Sequence, residues 1–323
     1  SEALASLEAA LAVQPKHPGA LLSRGATQFQ LRRFEAALQS FDRLLALQPK
    51  SSAALYNRGT ALFALERWSD ALHSYDRALA LKPDYADVWV NRGMTLQRLQ
   101  RHAEALASFN QALVHQPRHV EGLNNRGTAL QSMNRHLEAL ASFDQAIALR
   151  PDNADALNNR GNSLDALDRP LEAVASIDRA LELRPDFAMA WNNRSVTLRN
   201  LNRLEEALES VDCALTLQPG YSDAHWNRSL ILLLRDLGVP CRASRAALLA
   251  VSFWVTTSGA NAWPLVHEGE SRAEYRRGSA RPPDDRDHQA QRLCRLHARP
   301  DGVRLLCGRR APSAPGASCL RRT

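Results

Sequence analysis

The chain has 323 residues, 45% of them hydrophobic and 23% charged, with a formal net charge of +7. The excess is uneven: residues 1–235 carry 26 Lys plus Arg against 26 Asp plus Glu, whereas residues 236–323 carry 15 Arg, no Lys and 8 acids. A charge-neutral first part gives no electrostatic reason to expect nucleic acid or a membrane surface as its partner. No stretch reaches the roughly 20 apolar residues of a membrane helix, the best candidate, Ala246 to Val255, being too short. Four of the five cysteines lie beyond residue 235 and only Cys213 before it, so the first part is expected to need no disulfides, which fits a reducing, cytoplasmic setting.

The predicted elements obey one period. Pro15, Pro49, Pro83, Pro117, Pro151, Pro185 and Pro219 stand 34 residues apart, as do Arg24, Arg58, Arg92, Arg126, Arg160, Arg194 and Arg228. In chain order, residues 1–17 read as a lone second helix with Leu4, Leu7 and Leu11 on one face. Because the sequence opens on Ser1, upstream sequence is expected. Six full repeats then start at Pro18, Ser52, Ala86, Val120, Ala154 and Ala188 and end at residue 221. In each, apolar or small residues fall at repeat positions 4, 8 and 11 and again at 20, 21, 24, 27 and 28. These spacings predict two amphipathic helices, A and B. Glycine or serine at position 8 and alanine at position 20 leave room for a close approach, and the proline at position 32 ends helix B. Residues 222–235 read as a helix A whose helix B does not follow at the repeat spacing.

From Asp236 onward the period is lost and the composition turns to Arg, Ala, Pro, Gly and Cys. Two readings stay open for 236–323: an out-of-frame translation of a GC-rich gene, or a genuine, poorly structured basic tail. Its His288, Cys294, His297 and Cys307 are a weak metal suggestion, since only Cys294 and His297 have ligand spacing.

The 34-residue period, with its small, aromatic and proline positions, resembles the tetratricopeptide repeat over residues 1 to about 235. That resemblance implies an all-α, right-handed superhelical solenoid of helix hairpins whose A helices line a concave groove. One departure is systematic: position 7, leucine in the family pattern, is arginine in every copy.

Candidate site residues come from the rows that the period creates. Position 6 is asparagine at Asn57, Asn91, Asn125, Asn159, Asn193 and Asn227. It shares a face with positions 2, 9 and 13, turned away from helix B. A row of amides, each with two donors and an acceptor oxygen, suits an extended peptide backbone. Equally, it could bond the neighbouring repeat and set the stacking. Asn124, Asn158 and Asn192 at position 5 widen the strip, and Tyr56, Val90, Trp226, Phe29 and Phe63 are expected to offer apolar contact. The position-6 row is similar to the asparagine ladder in the repeat region of O-linked N-acetylglucosamine transferases.

Arginine at position 7 (Arg58, Arg92, Arg126, Arg160, Arg194) interrupts an apolar stripe, as does aspartate at position 25 (Asp42, Asp76, Asp144, Asp178, Asp212), where the third copy has Asn110. These are expected to pair as a buried structural ladder, so that removing an arginine such as Arg126 strands a buried carboxylate. The histidines His73, His102, His115, His119 and His136 read as solvated residues scattered over different repeat positions. No catalytic motif or strand pattern is found. The expectation is therefore a non-enzymatic scaffold that binds a protein or extended peptide without cofactor or metal, its oligomeric state open. The alternative is the substrate-recruiting N-terminal part of a repeat-linked glycosyltransferase.

Overall fold

Two apolar stripes joined by a turn too short to separate them must close on each other, and each 34-residue unit does so as a helix hairpin. The structure is a computed structural model that describes Glu2–Leu237, within one compact unit, Ser1–Ala243. It holds fourteen helices and no strand among the described residues. The A helices are α2 (Pro18–Gln30), α4 (Ser52–Ala64), α6 (Ala86–Arg98), α8 (Val120–Ser132), α10 (Ala154–Ala166), α12 (Ala188–Asn200) and α14 (Ser222–Leu237). The B helices are α1 (Glu2–Val13), α3 (Phe34–Leu47), α5 (Trp68–Leu81), α7 (His102–His115), α9 (His136–Leu149), α11 (Pro170–Leu183) and α13 (Leu204–Leu217). Each helix packs on the next, and each A helix also touches the following A helix, whereas successive B helices do not meet. The stack is an all-α solenoid whose A-helix side is the more closely spaced.

The hairpin interface is a glycine against a ring. Phe41, Tyr75, Phe109 and Phe143 are at most 1% exposed, each burial removing apolar area worth about 2–3 kcal/mol. Facing them are Gly25, Gly59, Gly93 and Gly127; a Cβ added at Gly93 would stand 2.5 Å from Phe109 Cε1. Where the ring gives way to the smaller Val211, Ser195 takes the glycine's place.

The turn from A to B is closed by a left-handed residue at position 15: Arg32, Glu66, Gln100, Asn134, Asp168 and Asn202 have φ between 56° and 60°. In the third repeat Arg101 N donates to Leu96 O at 2.8 Å and Gln100 N to Gln97 O at 2.9 Å, which satisfies carbonyls that the end of helix A leaves free. At the B-to-A turn, Ser51 Oγ, His119 Nδ1 and Asn153 Oδ1 accept from the backbone three residues on, at 3.3, 3.0 and 3.1 Å, as helix N-caps do. Trp89 and Trp191 donate their indole N–H to the carbonyls of Pro83 and Pro185, both at 2.8 Å.

Three expectations are corrected here. His119 is 9% exposed rather than solvated, because its ring caps α8 while Nε2 lies 3.1 Å from Asp87. His102 and His136 share one repeat position, the first residue of helix B, and the Nδ1 of each is buried with no partner. Cys213 is disulfide-bonded, which departs at that position from the expectation of repeats without a disulfide. The tail readings and the His288, Cys294, His297, Cys307 suggestion fall outside the described residues.

Candidate functional site

The A-helix side carries both the asparagine row and a cleft. All six position-6 asparagines are partly exposed, but they differ in what they touch. Asn159 Nδ2 donates to Asn124 Oδ1 at 3.2 Å, Asn193 to Asn158 at 2.9 Å and Asn227 to Asn192 at 2.9 Å. Each joins position 6 of one repeat to position 5 of the repeat before. Asn91 makes the corresponding bond to the Tyr56 hydroxyl at 3.3 Å. Asn57 and Asn125 have no side-chain hydrogen bond. The row therefore divides into amides tied across a repeat junction and two left free.

Position 5 departs from its expected role. Asn158 and Asn192 are 0% and 5% exposed and Val90 is 4% exposed, so they do not widen an accessible strip. They turn toward the adjacent A helix, where a buried amide keeps its place only by being bonded. Asn124 and Tyr56 stay partly exposed, and Trp226 is 66% exposed.

A cleft of about 800 Å³ opens over the second to fourth repeats, lined by Phe63, Trp68, Met94, Arg98, His102 and Asn125, with Gln97, Gln100 and Ser132 at its edge. Only Asn125 of the proposed amides lies in it. Phe63, Trp68 and Met94 supply apolar surface. Gln97 is held by donating to Thr128 Oγ1 at 3.2 Å, and His102 Nε2 lies 3.0 Å from Gln100 Oε1. Farther along, the position-12 residues become internal ties: Gln131 donates to Asn159 O and Ser163 Oγ, both at 2.8 Å, and Asn200 donates to Asp165 Oδ2 at 2.9 Å. Burial raises the Asp165 carboxyl above its usual range, opposed by that amide and by Arg199.

The arginine and aspartate rows run along another edge. Arg58 Nε lies 2.7 Å from Asp42, Arg92 2.7 Å from Asp76, Arg160 2.6 Å from Asp144, Arg194 2.6 Å from Asp178 and Arg228 2.6 Å from Asp212. Each pair joins helix A of one repeat to helix B of the repeat before. Two parts of the expectation are corrected. The aspartate side chains are 43–51% exposed, so no carboxylate is buried, and pairs of this kind are worth about 0.2–1 kcal/mol. Arg126, 16 residues after Asn110 where the other copies have aspartate, makes no ion pair; it donates to Ser142 Oγ at 3.0 Å and Gln145 Oε1 at 3.4 Å, and burial lowers its pKa against the opposing effect of Glu138.

A row that the sequence reading passed over holds these guanidiniums. Position 23 is serine in all six repeats, and Ser40, Ser74, Ser108, Ser142 and Ser210 are 0% exposed. Arg24, Arg58, Arg92, Arg126 and Arg194 each donate to the serine 16 residues on, at 2.6–3.0 Å. An invariant small polar residue on an otherwise apolar stripe was the signal. At position 16, Arg67, Arg101, Arg135, Arg169 and Arg203 instead make exposed pairs with an acid three residues on, such as Arg135 with Glu138 at 2.7 Å; the hydrogen bond from Arg135 holds that carboxyl below its usual range.

Among the described residues no helix is long and apolar enough to cross a membrane, and no group of three or more His, Cys, Asp or Glu is placed to hold a metal. Of the solved structures, PilW, described as a widely conserved type IV pilus biogenesis factor, matches with 20% identity over 64% of this chain and 96% of its own, at a TM-score of 0.60. A tetratricopeptide repeat protein from Parabacteroides merdae matches with 19% identity over 71% and 91%, at 0.57. The Cut9–Hcn1 hetero-tetramer of APC/C matches with 15% identity over 72% of this chain and 46% of the other, at 0.64. These likenesses speak for the fold alone. No curated protein sequence matches the chain. The family model of the tetratricopeptide repeat matches residues 1–52, 56–119, 124–186 and 159–222, more than half of the sequence. The chain belongs to the tetratricopeptide-repeat family.

Proposed function

We propose that this protein is an interaction scaffold that binds an extended segment of a partner protein on its A-helix side, centred on the second to fourth repeats. The observation that carries this reading is the cleft in which Asn125, with its amide unspent, stands beside Phe63, Trp68 and Met94. An extended chain needs both kinds of contact: amides for its regularly spaced backbone groups, and apolar surface for the side chains between them. Tetratricopeptide repeats generally serve as protein-interaction scaffolds.

Asn57 and Asn125 are the amides proposed to meet the ligand first. Asn91 and Asn193 each keep one N–H and Oδ1 for a ligand while holding the stack together, whereas the Oδ1 of Asn159 accepts from Asn158 and that of Asn227 from Arg199, both at 3.4 Å, which leaves each of those two an N–H. Replacing Asn91, Asn159 or Asn193 would therefore disturb the scaffold as well as the surface. The cleaner test pairs Phe63→Ala with Asn125→Ala in the full chain, measured against partners recovered by peptide display. Peptide affinity is expected to fall at least about ten-fold with the helical circular dichroism unchanged. Undiminished affinity in that double variant would place binding elsewhere. A second reading rests on the similarity of the position-6 row to that of O-linked N-acetylglucosamine transferases: the same surface would then recruit substrate for a catalytic domain. Transfer of a labelled sugar to a bound peptide by the full-length gene product would favour it.

A further inference from the structure

The chemistry lining the cleft selects among extended segments. Three of the residues that line it, Arg98, Trp68 and Asn125, carry side-chain hydrogen-bond donors with no partner among the described residues. Trp89 and Trp191 show what such an indole does when satisfied, since each donates to a proline carbonyl. Arg98 is exposed at the end of α6 and makes no ion pair, whereas Arg92 and Arg101, on either side of it, are each held by a carboxylate at 2.7 Å. No aspartate or glutamate lines the cleft. A concave surface with donors, one permanently charged guanidinium and no acid favours an anionic acceptor, because the approaching charge meets attraction without a competing carboxylate.

We propose that the segment bound here carries a bulky apolar residue next to an acidic one. The apolar side chain seats on Phe63, Trp68 and Met94, and the carboxylate pairs with Arg98 and accepts from the Trp68 indole. This rests on the peptide-binding reading above and names the partner that fits it. Three neighbouring A helices at about 8–10 Å spacing span roughly 20 Å, the length of about six extended residues. One anchor pair and its flanks fill that span. The acid in this proposal is a side chain within the segment.

The test uses the full chain and a library of eight-residue peptides blocked at both ends, varied at two central positions and read by fluorescence anisotropy. Peptides with Leu, Ile or Phe beside Glu or Asp are expected to bind about ten-fold more tightly than the same peptides with Gln. Arg98→Gln should erase that difference, and Arg98→Glu should invert it in favour of Lys. Arg98 makes no contact that the fold depends on, so these variants keep the fold, which circular dichroism checks. If peptides bind and Phe63→Ala weakens them, but Glu, Gln and Lys are equivalent, the acidic preference is overturned and the peptide-binding reading survives. Tighter binding of phosphoserine than of Glu, or of an unblocked C-terminus than of the internal acid, also overturns it. If no peptide in the library binds, both readings fail.

Discussion

The first three repeats and the last three share one backbone plan but spend their polar groups differently. In the first three, position 12 is Phe29, Phe63 and Gln97, and the left-handed turn position holds Arg32, Glu66 and Gln100. In the last three, position 12 is Gln131, Asp165 and Arg199, and the turn position holds Asn134, Asp168 and Asn202, residue types that tolerate positive φ. The later repeats tie their amides to one another, through Asn124, Asn158 and Asn192. The earlier ones leave Asn57 and Arg98 unbonded, and the fourth repeat, where the two halves meet, leaves Asn125 unbonded beside the apolar floor of the cleft. Polar residues on one face thus keep free hydrogen-bonding capacity only where they have not already satisfied each other.

Breaking one of the closed ties should have the largest effect. Asn158→Ala removes a fully buried amide and the acceptor of Asn193, and should cost about 2 kcal/mol in denaturant unfolding. Asn125→Ala, in the cleft, should stay within about 0.5 kcal/mol. Equal costs would abolish the distinction between spent and free amides.

Relief of the earlier turns comes next. Glu66 at φ 58° pays the left-handed penalty without an Asn or Asp side chain to ease it. Glu66→Gly should stabilise by about 0.5–1 kcal/mol, and Asn134→Gly by less, as compared by thermal melts. A missing rung offers a smaller gain: Asn110→Asp should pair with Arg126 and add about 0.5 kcal/mol. That gain should vanish in an Arg126→Gln background, a double-mutant cycle that tests the pairing itself.

The smallest effect is a pH dependence in the later half. Burial places the Asp165 carboxyl above its unfolded value. Its support for folding is therefore present below the unfolded pKa and lost as pH rises through the folded one. Asp165→Asn keeps an oxygen to accept from Asn200 and removes the charge. Relative to the parent, this variant should melt higher at pH 7 than at pH 3, and a difference independent of pH would contradict the burial effect.

The repeat period, the helix pairs and the proline stops were legible in the sequence because they are local: 3.6-residue stripes and chain-breaking residues act within one unit. The small position 8 was equally plain, although its reason, a ring pressed on Gly93 or Gly127, needed the hairpin to be closed. The arginine row could be seen to need partners, but not that the aspartates stand half in water or that serines hold the guanidiniums from beneath. Which asparagines are free was decided by tertiary structure alone. The ties between Asn159 and Asn124, Asn193 and Asn158, and Asn227 and Asn192 span 35 residues, one more than the period, because position 6 of one helix meets position 5 of its neighbour. A repeat pattern assigns every copy the same face. Only the packing of one A helix on the next determines which amides that face still offers to a ligand.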